Sequence, residues 1–310
     1  MPGDRGHLRS ANRPSRRSIP ASADSADPSG LDILTLTHPC YVLYRGCGRG
    51  HPSFPFVVAA NRDEIFGRPA APLGFWETHP QLAAGRDLFA GGTWLGLTRE
   101  GRFAALTNCR TEKVSPKPGG QSRGVLVRDY LLNHLETRTV IDARSIETLL
   151  GYGGFNLVAG TTSELNLLCN ATGFSSVCSQ GLMTLSNTPP QNQWPKTRQG
   201  KIEFSRILEQ SADHGTLVAR LFDFLRDPRP LATGLEDSIV DSKESHQQVL
   251  FVEGAAYGTR ASSVILIDRR GRVTFQERSF DSGANCFDES ALEFSLEPRP
   301  RHNTPVGPVN

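Results

Sequence analysis

The sequence predicts an α+β fold, a sandwich of two mainly antiparallel sheets covered by helices. Runs of apolar and β-branched residues, typical of strands, occur in groups along the chain, and pairs of segments with helical spacing separate the groups. Strands joined by short turns pair antiparallel, and each sheet must bury a face against helices or against the other sheet. The order strands, helices, strands, helices, strands therefore predicts helices outside two packed sheets.

The first predicted group is organised around Phe56–Ala60, five consecutive apolar residues typical of a strand buried on both faces. Cys40–Tyr44 precedes this strand, and a glycine-rich turn lets the two pair antiparallel. Four polar residues follow the apolar run, and we expect them at a sheet rim beyond the end of the strand: Asn61, Arg62, Asp63 and Glu64. An ordinary salt-bridged loop is the competing interpretation of these residues.

The next elements are a loop, a hairpin and two helices. The residues after Arg68-Pro69 predict a loop that contains Phe75 and Trp76. Gly91–Thr98 and Phe103–Asn108 predict a hairpin that ends on a polar residue. Ser122 can cap a helix, and a second helix is predicted at residues 141 to 150.

The remaining chain predicts three more strands, two helices and a final sheet region. The expected segments are Phe155–Ala159, Leu165–Leu168, Leu182–Leu185, a helix from Pro195 to about Glu209, a helix around Leu217–Leu225, a hairpin of Val264–Ile267 with Val273–Arg278, and a strand Leu292–Leu296. The third of these strands leads into Asn187, so three predicted strands are followed by an asparagine. These polar residues are expected to gather at one rim.

Composition excludes several function classes. The formal net charge of +2 over 310 residues does not indicate a nucleic-acid partner. No apolar run reaches the roughly 18 to 20 residues that a transmembrane helix needs. Six widely spaced cysteines, with no Cys-x-x-Cys motif, indicate neither a zinc site nor a disulfide scaffold. We expect no metal and no cofactor.

The two ends of the chain are expected to be disordered, around one domain at residues 31 to 296. Residues 1 to 30 and 297 to 310 are rich in proline and polar residues and have few large apolar ones. The stretch Arg5–Arg17 holds five arginines. A mitochondrial transit peptide, a solvated basic tail and a wrongly assigned start codon all remain open as explanations, although Pro14 and Pro20 would interrupt an amphipathic helix.

Several motifs, in order, resemble those of the NRDE-motif family over about residues 40 to 296. They are Asn61-Arg62-Asp63-Glu64, Arg68-Pro69, Gly85-Arg86-Asp87, Gly92-Thr93-Trp94-Leu95-Gly96, Leu106-Thr107-Asn108, Gly153-Gly154-Phe155-Asn156-Leu157, Leu185-Ser186-Asn187, Trp194-Pro195-Lys196 and Tyr257-Gly258-Thr259-Arg260. The resemblance implies an α-β-β-α fold like that of N-terminal-nucleophile (Ntn) hydrolases, in particular the cysteine branch with penicillin V acylase and bile salt hydrolase.

The resemblance also implies roles for individual residues. Arg62 and Asp63 resemble the pair that orients the nucleophile in that branch, although the acylases space theirs differently. Asn108 and Asn187 resemble the oxyanion and substrate-orienting asparagines, and turn formation is the competing interpretation. Arg260 is similar to a late basic residue of the family, with a rim salt bridge as the alternative.

The nucleophile is the point at which this sequence departs from the family. Members usually begin Met-Cys, whereas Cys40 lies behind 39 residues and follows Pro39. Cleavage before Cys40 would be needed to give it a free α-amino group. Alternatively, Leu31–Pro39 is the first strand and the nucleophile position holds no cysteine. Cys47 in the glycine-rich turn is a further candidate, and a misjoined first exon is another explanation of the extension.

Two functions follow from the resemblance. The first is a role in Golgi organisation, protein secretion and lipid or haem handling, through a pocket for a hydrophobic small molecule such as an acyl-CoA, a lipid or haem. This function implies a cytoplasmic protein with peripheral Golgi association, a mitochondrial location being second. The alternative is a cysteine amide hydrolase that acts on an acylated small molecule after Cys40 is exposed.

Overall fold

The computed structural model describes residues 41–46, 51–109, 120–133, 149, 151–178, 181–192, 194–230 and 249–298. All of them fall within one compact unit, Thr37–Asn310. Three sets of predictions lie outside the described residues: the disordered ends, except for Glu297 and Pro298; the candidate nucleophiles Cys40 and Cys47; and the helix at 141 to 150, except for Leu149.

Two antiparallel sheets hold the described strands. The six-stranded sheet has the order β10-β1-β2-β11-β12-β13 and the seven-stranded sheet runs in sequence order from β3 to β9. The strands are β1 Tyr41–Gly46, β2 Phe56–Ile65, β3 Ala70–Trp76, β4 His79–Asp87, β5 Leu95–Thr98, β6 Arg102–Asn108, β7 Phe155–Thr161, β8 Glu164–Cys169, β9 Phe174–Cys178, β10 Gly181–Leu185, β11 Tyr257–Ile267, β12 Arg272–Phe280 and β13 Cys286–Ser295.

Three helices flank the sheets within the described residues: α1 Arg123–Leu131, α2 Pro195–Gln210 and α3 His214–Leu225. Pro195 occupies the first turn of α2, where its missing N–H costs nothing, and Asp213 caps α3 by accepting a hydrogen bond from the Thr216 amide. Ser122 takes the capping position of α1 without a side-chain hydrogen bond.

Three apolar layers show how these elements stack. One core lies between the sheets and contains Phe56 and Val58 of β2. A second packs α2 and α3 on the outer face of the six-stranded sheet through Val57 and Ala59, and a third packs α1 on the seven-stranded sheet. Alternate residues of β2 therefore face different layers. The predicted α+β sandwich covered by helices is confirmed.

Three predictions from the sequence were wrong. The region after Arg68-Pro69 is not a loop but the strand pair β3 and β4. In addition, β2 does not end at Ala60 but continues to Ile65, because β11 pairs with it along its whole length, from Phe56 to Ile65. The four polar residues of the motif therefore lie inside a strand, and the last strand likewise extends from Cys286 to Ser295.

None of the three helices within the described residues is long and apolar enough to cross a membrane.

Candidate functional site

Strand β2 divides the Asn61–Glu64 motif between two layers. Asn61 and Asp63 continue the face of Val57 and Ala59, which packs on α2 and α3, whereas Arg62 and Glu64 continue the face directed at the other sheet. The motif thus places one amide and one carboxyl among the helices and one ion pair between the sheets.

Asn61 has a structural role on the helix side. Its amide Nδ2 donates to the carbonyl oxygens of Leu225 and Leu250, both at 2.8 Å, and its Oδ1 accepts from the Ser262 hydroxyl at 2.7 Å. Because the side chain is 2% exposed, these bonds satisfy groups that water cannot reach. Asn61 therefore fastens β2 to the end of α3 and to the chain around Leu250.

Asp63 is a buried carboxyl with one free oxygen. Its Oδ1 accepts a hydrogen bond from the Thr259 hydroxyl, whereas Oδ2 is buried and has no hydrogen-bond partner among the described residues. Burial raises the pKa of this carboxyl to about 7, against the lowering by the Lys196 ammonium and the Thr259 bond. Lys196, in the first turn of α2, is itself fully buried and donates to the carbonyl oxygen of Val249 at 3.3 Å.

Arg62 lies on the opposite face, between the sheets. Its guanidinium carbon is 4.2 Å from the centroid of the Trp94 ring, and its Nη2 is 3.5 Å from Glu64 Oε2. Glu64 Oε2 is also 3.7 Å from Arg68, which forms a two-pronged pair with Asp87 at 2.7 and 3.2 Å. The rim beside β2 is therefore a network of arginines and carboxylates.

A β-bulge places Arg260 in the same network. Thr259 pairs with Asp63 and Ala261 with Arg62, so Arg260 is an extra residue without an opposite partner. Its Nη1 donates to three carbonyl oxygens of the turn after β2, those of Ile65, Phe66 and Arg68, at 2.8 to 3.1 Å. Bulges occur often beside functional sites because they redirect a side chain.

The two candidate asparagines have different surroundings. Asn108, at the end of β6, is half-buried, shares the α1 face with Phe155, and makes no side-chain hydrogen bond within the described part of the chain. Asn187, two residues after β10, is 3% exposed. Their roles in binding an oxyanion remain predictions.

Between the sheets, the neighbouring positions hold Thr107 and Asn156 instead. Thr107 donates to the Ser186 carbonyl at 2.7 Å, and the Asn156 amide donates to the carbonyls of Ser186 and Thr188 at 2.9 and 2.8 Å. These bonds hold the chain on both sides of Asn187 against the end of the seven-stranded sheet. Asn156 was not among the predicted site residues, although it lies in a matched motif.

Two thiol groups lie next to each other beside Asn108. Cys109 directly follows Asn108, and its Sγ is 3.7 Å from that of Cys169. Both side chains are buried, and neither cysteine forms a disulfide. The hydrogen bond from Cys109 lowers the pKa of Cys169 to about 6, while the same contact raises that of Cys109. Among the described residues, no cluster of histidine, cysteine or carboxylate side chains could hold a metal ion.

Glu277 is a second buried carboxyl, on the inter-sheet side. It is 2% exposed, its Oε2 accepts from the Ser263 hydroxyl at 2.8 Å, and its Oε1 accepts from the Leu73 amide of the other sheet at 2.9 Å. Burial raises its pKa to about 7, although these bonds and the charge of Arg62 lower it. Its carboxyl therefore ties the two sheets together close to Arg62.

Replacing Glu277 with glutamine is expected to flatten the pH dependence of stability. The folded protein binds this proton more tightly than the unfolded chain, whose ordinary pKa is 4.5, so stability falls as pH rises from about 4.5 to 7. Glutamine does not titrate. The free energy of unfolding of Glu277→Gln minus that of the wild type should therefore be about 3 kcal/mol greater at pH 8 than at pH 4. Urea unfolding at both pH values checks this, with the exposed Glu289→Gln as a control that keeps the wild-type slope. An unchanged slope in Glu277→Gln would contradict it.

Comparison with known proteins identifies the family. A sequence model of the family described as Transport and Golgi organisation 2 matches residues 40–282. The chain belongs to this family. The resemblance to the NRDE-motif family is thereby confirmed, and the match begins at Cys40 and includes every candidate site residue.

Relatives in the Transport and Golgi organisation 2 family match along most of their length. The homologue from Mus musculus is 32% identical over 262 residues, which cover 79% of this chain and 94% of the relative. The Homo sapiens homologue is 31% identical with the same coverage. The Drosophila melanogaster protein is 27% identical and covers 77% of this chain and 92% of its own length.

Two solved structures are also similar to this chain. An ortholog of N-acylethanolamine-hydrolyzing acid amidase from Caenorhabditis elegans is 10% identical, with a TM-score of 0.34 over 73% of this chain and 92% of its own. A mutant of the conjugated bile acid hydrolase from Clostridium perfringens is 11% identical, with a TM-score of 0.36 over 85% and 99%. The family assignment rests on the sequence relatives.

Proposed function

We propose that this member of the Transport and Golgi organisation 2 family hydrolyses the amide bond of an acylated small molecule, with Cys40 as the nucleophile of the processed chain. The observation that supports the proposal is the position of β1. Tyr41, the residue bonded to Cys40, pairs with Asn61, the neighbour of Arg62 in β2. The Arg62 and Asp63 side chains therefore project from the strand that lies beside the start of β1.

The chemistry requires a free α-amino group on Cys40. The amino group takes the thiol proton, the thiolate attacks the amide carbonyl to form a thioester, and the proton passes to the leaving amine. Water then cleaves the thioester and releases the acid and the thiol. The unpartnered Oδ2 of Asp63 is an acceptor that an α-ammonium group would satisfy.

The other predicted residues would complete this site. Arg62, with Arg260 beside it, would hold the nucleophile and the substrate, and Asn187 would donate a hydrogen bond to the oxyanion. The predicted second donor, Asn108, lies on the α1 face of its strand and would have to turn towards the space between the sheets. A donor of this kind is worth about 3 to 4 kcal/mol in comparable sites. Asn156 would act through Asn187, because it holds the chain on both sides of that residue.

Intact-mass measurement and N-terminal sequencing of the protein from its native host test the proposal. We expect a mature chain that begins at Cys40 and releases an amine from a panel of N-acyl amides. Cys40→Ser should lower this release to the background rate, whereas Cys286→Ser, which changes a free thiol of the last strand, should leave it unchanged. A chain that retains residues 1 to 39, or an active Cys40→Ser variant, would overturn it.

A second candidate is binding without turnover. In the encoded chain the nitrogen of Cys40 is in peptide linkage to Pro39 and cannot act as a base, which favours this alternative. The protein would then act in Golgi organisation and secretion as a cytoplasmic, peripherally associated carrier of a hydrophobic ligand such as a lipid, an acyl-CoA or haem. Binding of any of these to the full chain would support the carrier, and its absence in a broad screen would count against it.

A further inference from the structure

Arg62 is a buried guanidinium whose hydrogen-bonding capacity is unused. Its side chain is 6% exposed, yet it makes no hydrogen bond within the described residues; its contacts are the Trp94 ring at 4.2 Å and Glu64 at 3.5 Å. A guanidinium carries five N–H donors. None of the Arg62 nitrogens is a fully buried atom without a partner, so these unused donors are open to solvent and to a ligand.

Arg260 has an unused donor at the same place. Its Nη1 is occupied by the three turn carbonyls, but its Nε is buried and has no partner among the described residues. The bulge sets Arg260 between the residues that pair with Arg62 and Asp63, so its backbone lies about 5 Å from that of β2. Two arginines with unused donors are therefore neighbours across one strand pair, and the charge of Arg62 acts on Arg260.

Arg62, Arg68 and Arg260 share this rim with the carboxylates of Glu64 and Asp87. Arg68 pairs with Asp87, and Glu64 interacts with both Arg62 and Arg260. Glu277, also near Arg62, has both oxygens occupied by Ser263 and Leu73. Burial and the charge of Arg62 lower the pKa of Arg260, against the raising by Glu64, as expected for two like charges held close together. One further negative group would relieve both arginines.

We propose that Arg62 and Arg260 form a binding site for one anionic oxygen group of the ligand, a carboxylate or a phosphate. The proposal rests on the proposed function in that it describes the same ligand: an acylated small molecule, or a carried lipid, that bears an acidic group. Planar guanidinium groups match both kinds of anion with paired hydrogen bonds. A neutral acyl amide would leave the unused donors unsatisfied, so the site discriminates against it.

The test titrates the full-length protein with inorganic phosphate and, separately, with acetate, at constant ionic strength. Trp94 is the reporter because Arg62 lies on its ring, and Trp94→Phe identifies its share of the fluorescence. We expect a saturable change in emission and a rise in melting temperature. Arg260→Gln should weaken binding about 10- to 100-fold, as loss of a charge-assisted hydrogen bond predicts, whereas Arg260→Lys should retain part of the affinity.

Arg99→Gln is the matched control, because Arg99 also stacks on an aromatic ring, that of Phe75 at 4.0 Å, away from this rim. A response to phosphate alone assigns a phosphate group, and a response to acetate assigns a carboxylate. No saturable response in the wild type, or an equal response in Arg260→Gln, would overturn the site. The titration is repeated with Cys40→Ser, because anion binding needs no turnover. Loss of hydrolysis and loss of anion binding are thereby measured separately.

Discussion

Gly154→Ala is expected to lower the free energy of unfolding by about 3 kcal/mol. A Cβ at this position would lie 2.1 Å from the carbonyl oxygen of Cys109, a backbone atom that cannot rotate away. The same two residues are joined by a hydrogen bond from the Cys109 amide to the Gly154 carbonyl at 2.8 Å. The added methyl group therefore forces apart the end of β6 and the start of β7, beside Asn108 and the buried thiols.

Urea unfolding at neutral pH measures this loss, and Gly74→Ala is the control. Gly74 also lies in the seven-stranded sheet, but a Cβ there would meet no atom within 4 Å. Its replacement should change stability by less than about 1 kcal/mol, the ordinary range for a change that creates no steric clash. Equal stabilities of the two variants would refute the steric argument at Gly154.

Lys196→Met is expected to change stability in a direction that depends on pH. At pH 8 the variant should be about 3 kcal/mol less stable than the wild type, because the Asp63 carboxylate remains buried without its main cation. At pH 5, where Asp63 is protonated because its pKa is about 7, the ammonium no longer balances the charge of this carboxyl. Its removal there should cost little or should stabilise the protein.

The sign follows from proton binding. The folded pKa of Asp63 is raised above the ordinary 3.8, so stability falls as pH rises through this window, and loss of the ammonium raises the pKa further and extends the fall to higher pH. Unfolding free energies at pH 5 and 8, with Asp63→Asn and the double variant, complete a mutant cycle. If Lys196→Met costs as much at pH 8 in the Asp63→Asn background as in the wild type, the two residues are not coupled.

The sequence predicted the general architecture because the apolar residues of most segments have the spacing typical of a strand or a helix. It did not predict β3 and β4, since Pro72, Gly74 and Pro80 interrupt the pattern. β3 is an edge strand, where proline is tolerated, and its ladder is irregular between Ala71 and Gly74. The irregularity also frees the Leu73 amide to bond Glu277 of the other sheet.

The site could be predicted only where its residues are close in sequence. Arg62 and Asp63 were found because the motif is contiguous, but the apolar run before it has no alternation from which their opposite faces could be assigned. Lys196 lies in one of the quoted motifs but at the start of an ordinary helix pattern, and Glu277 lies in an ordinary strand pattern. Their importance comes from burial beside residues more than 100 positions away, which depends on the packing of the finished sheets.

The alternation of the motif in β2 has a consequence for changes in chain length. A substitution at one of its four positions alters one layer only. An in-frame codon gained or lost between Phe56 and Asn61, with the pairing of β11 retained, would shift all four residues by one place and exchange their faces. Arg62 and Glu64 would then enter the helix layer and Asn61 and Asp63 the space between the sheets. The motif therefore tolerates replacement of a residue more readily than an insertion or a deletion.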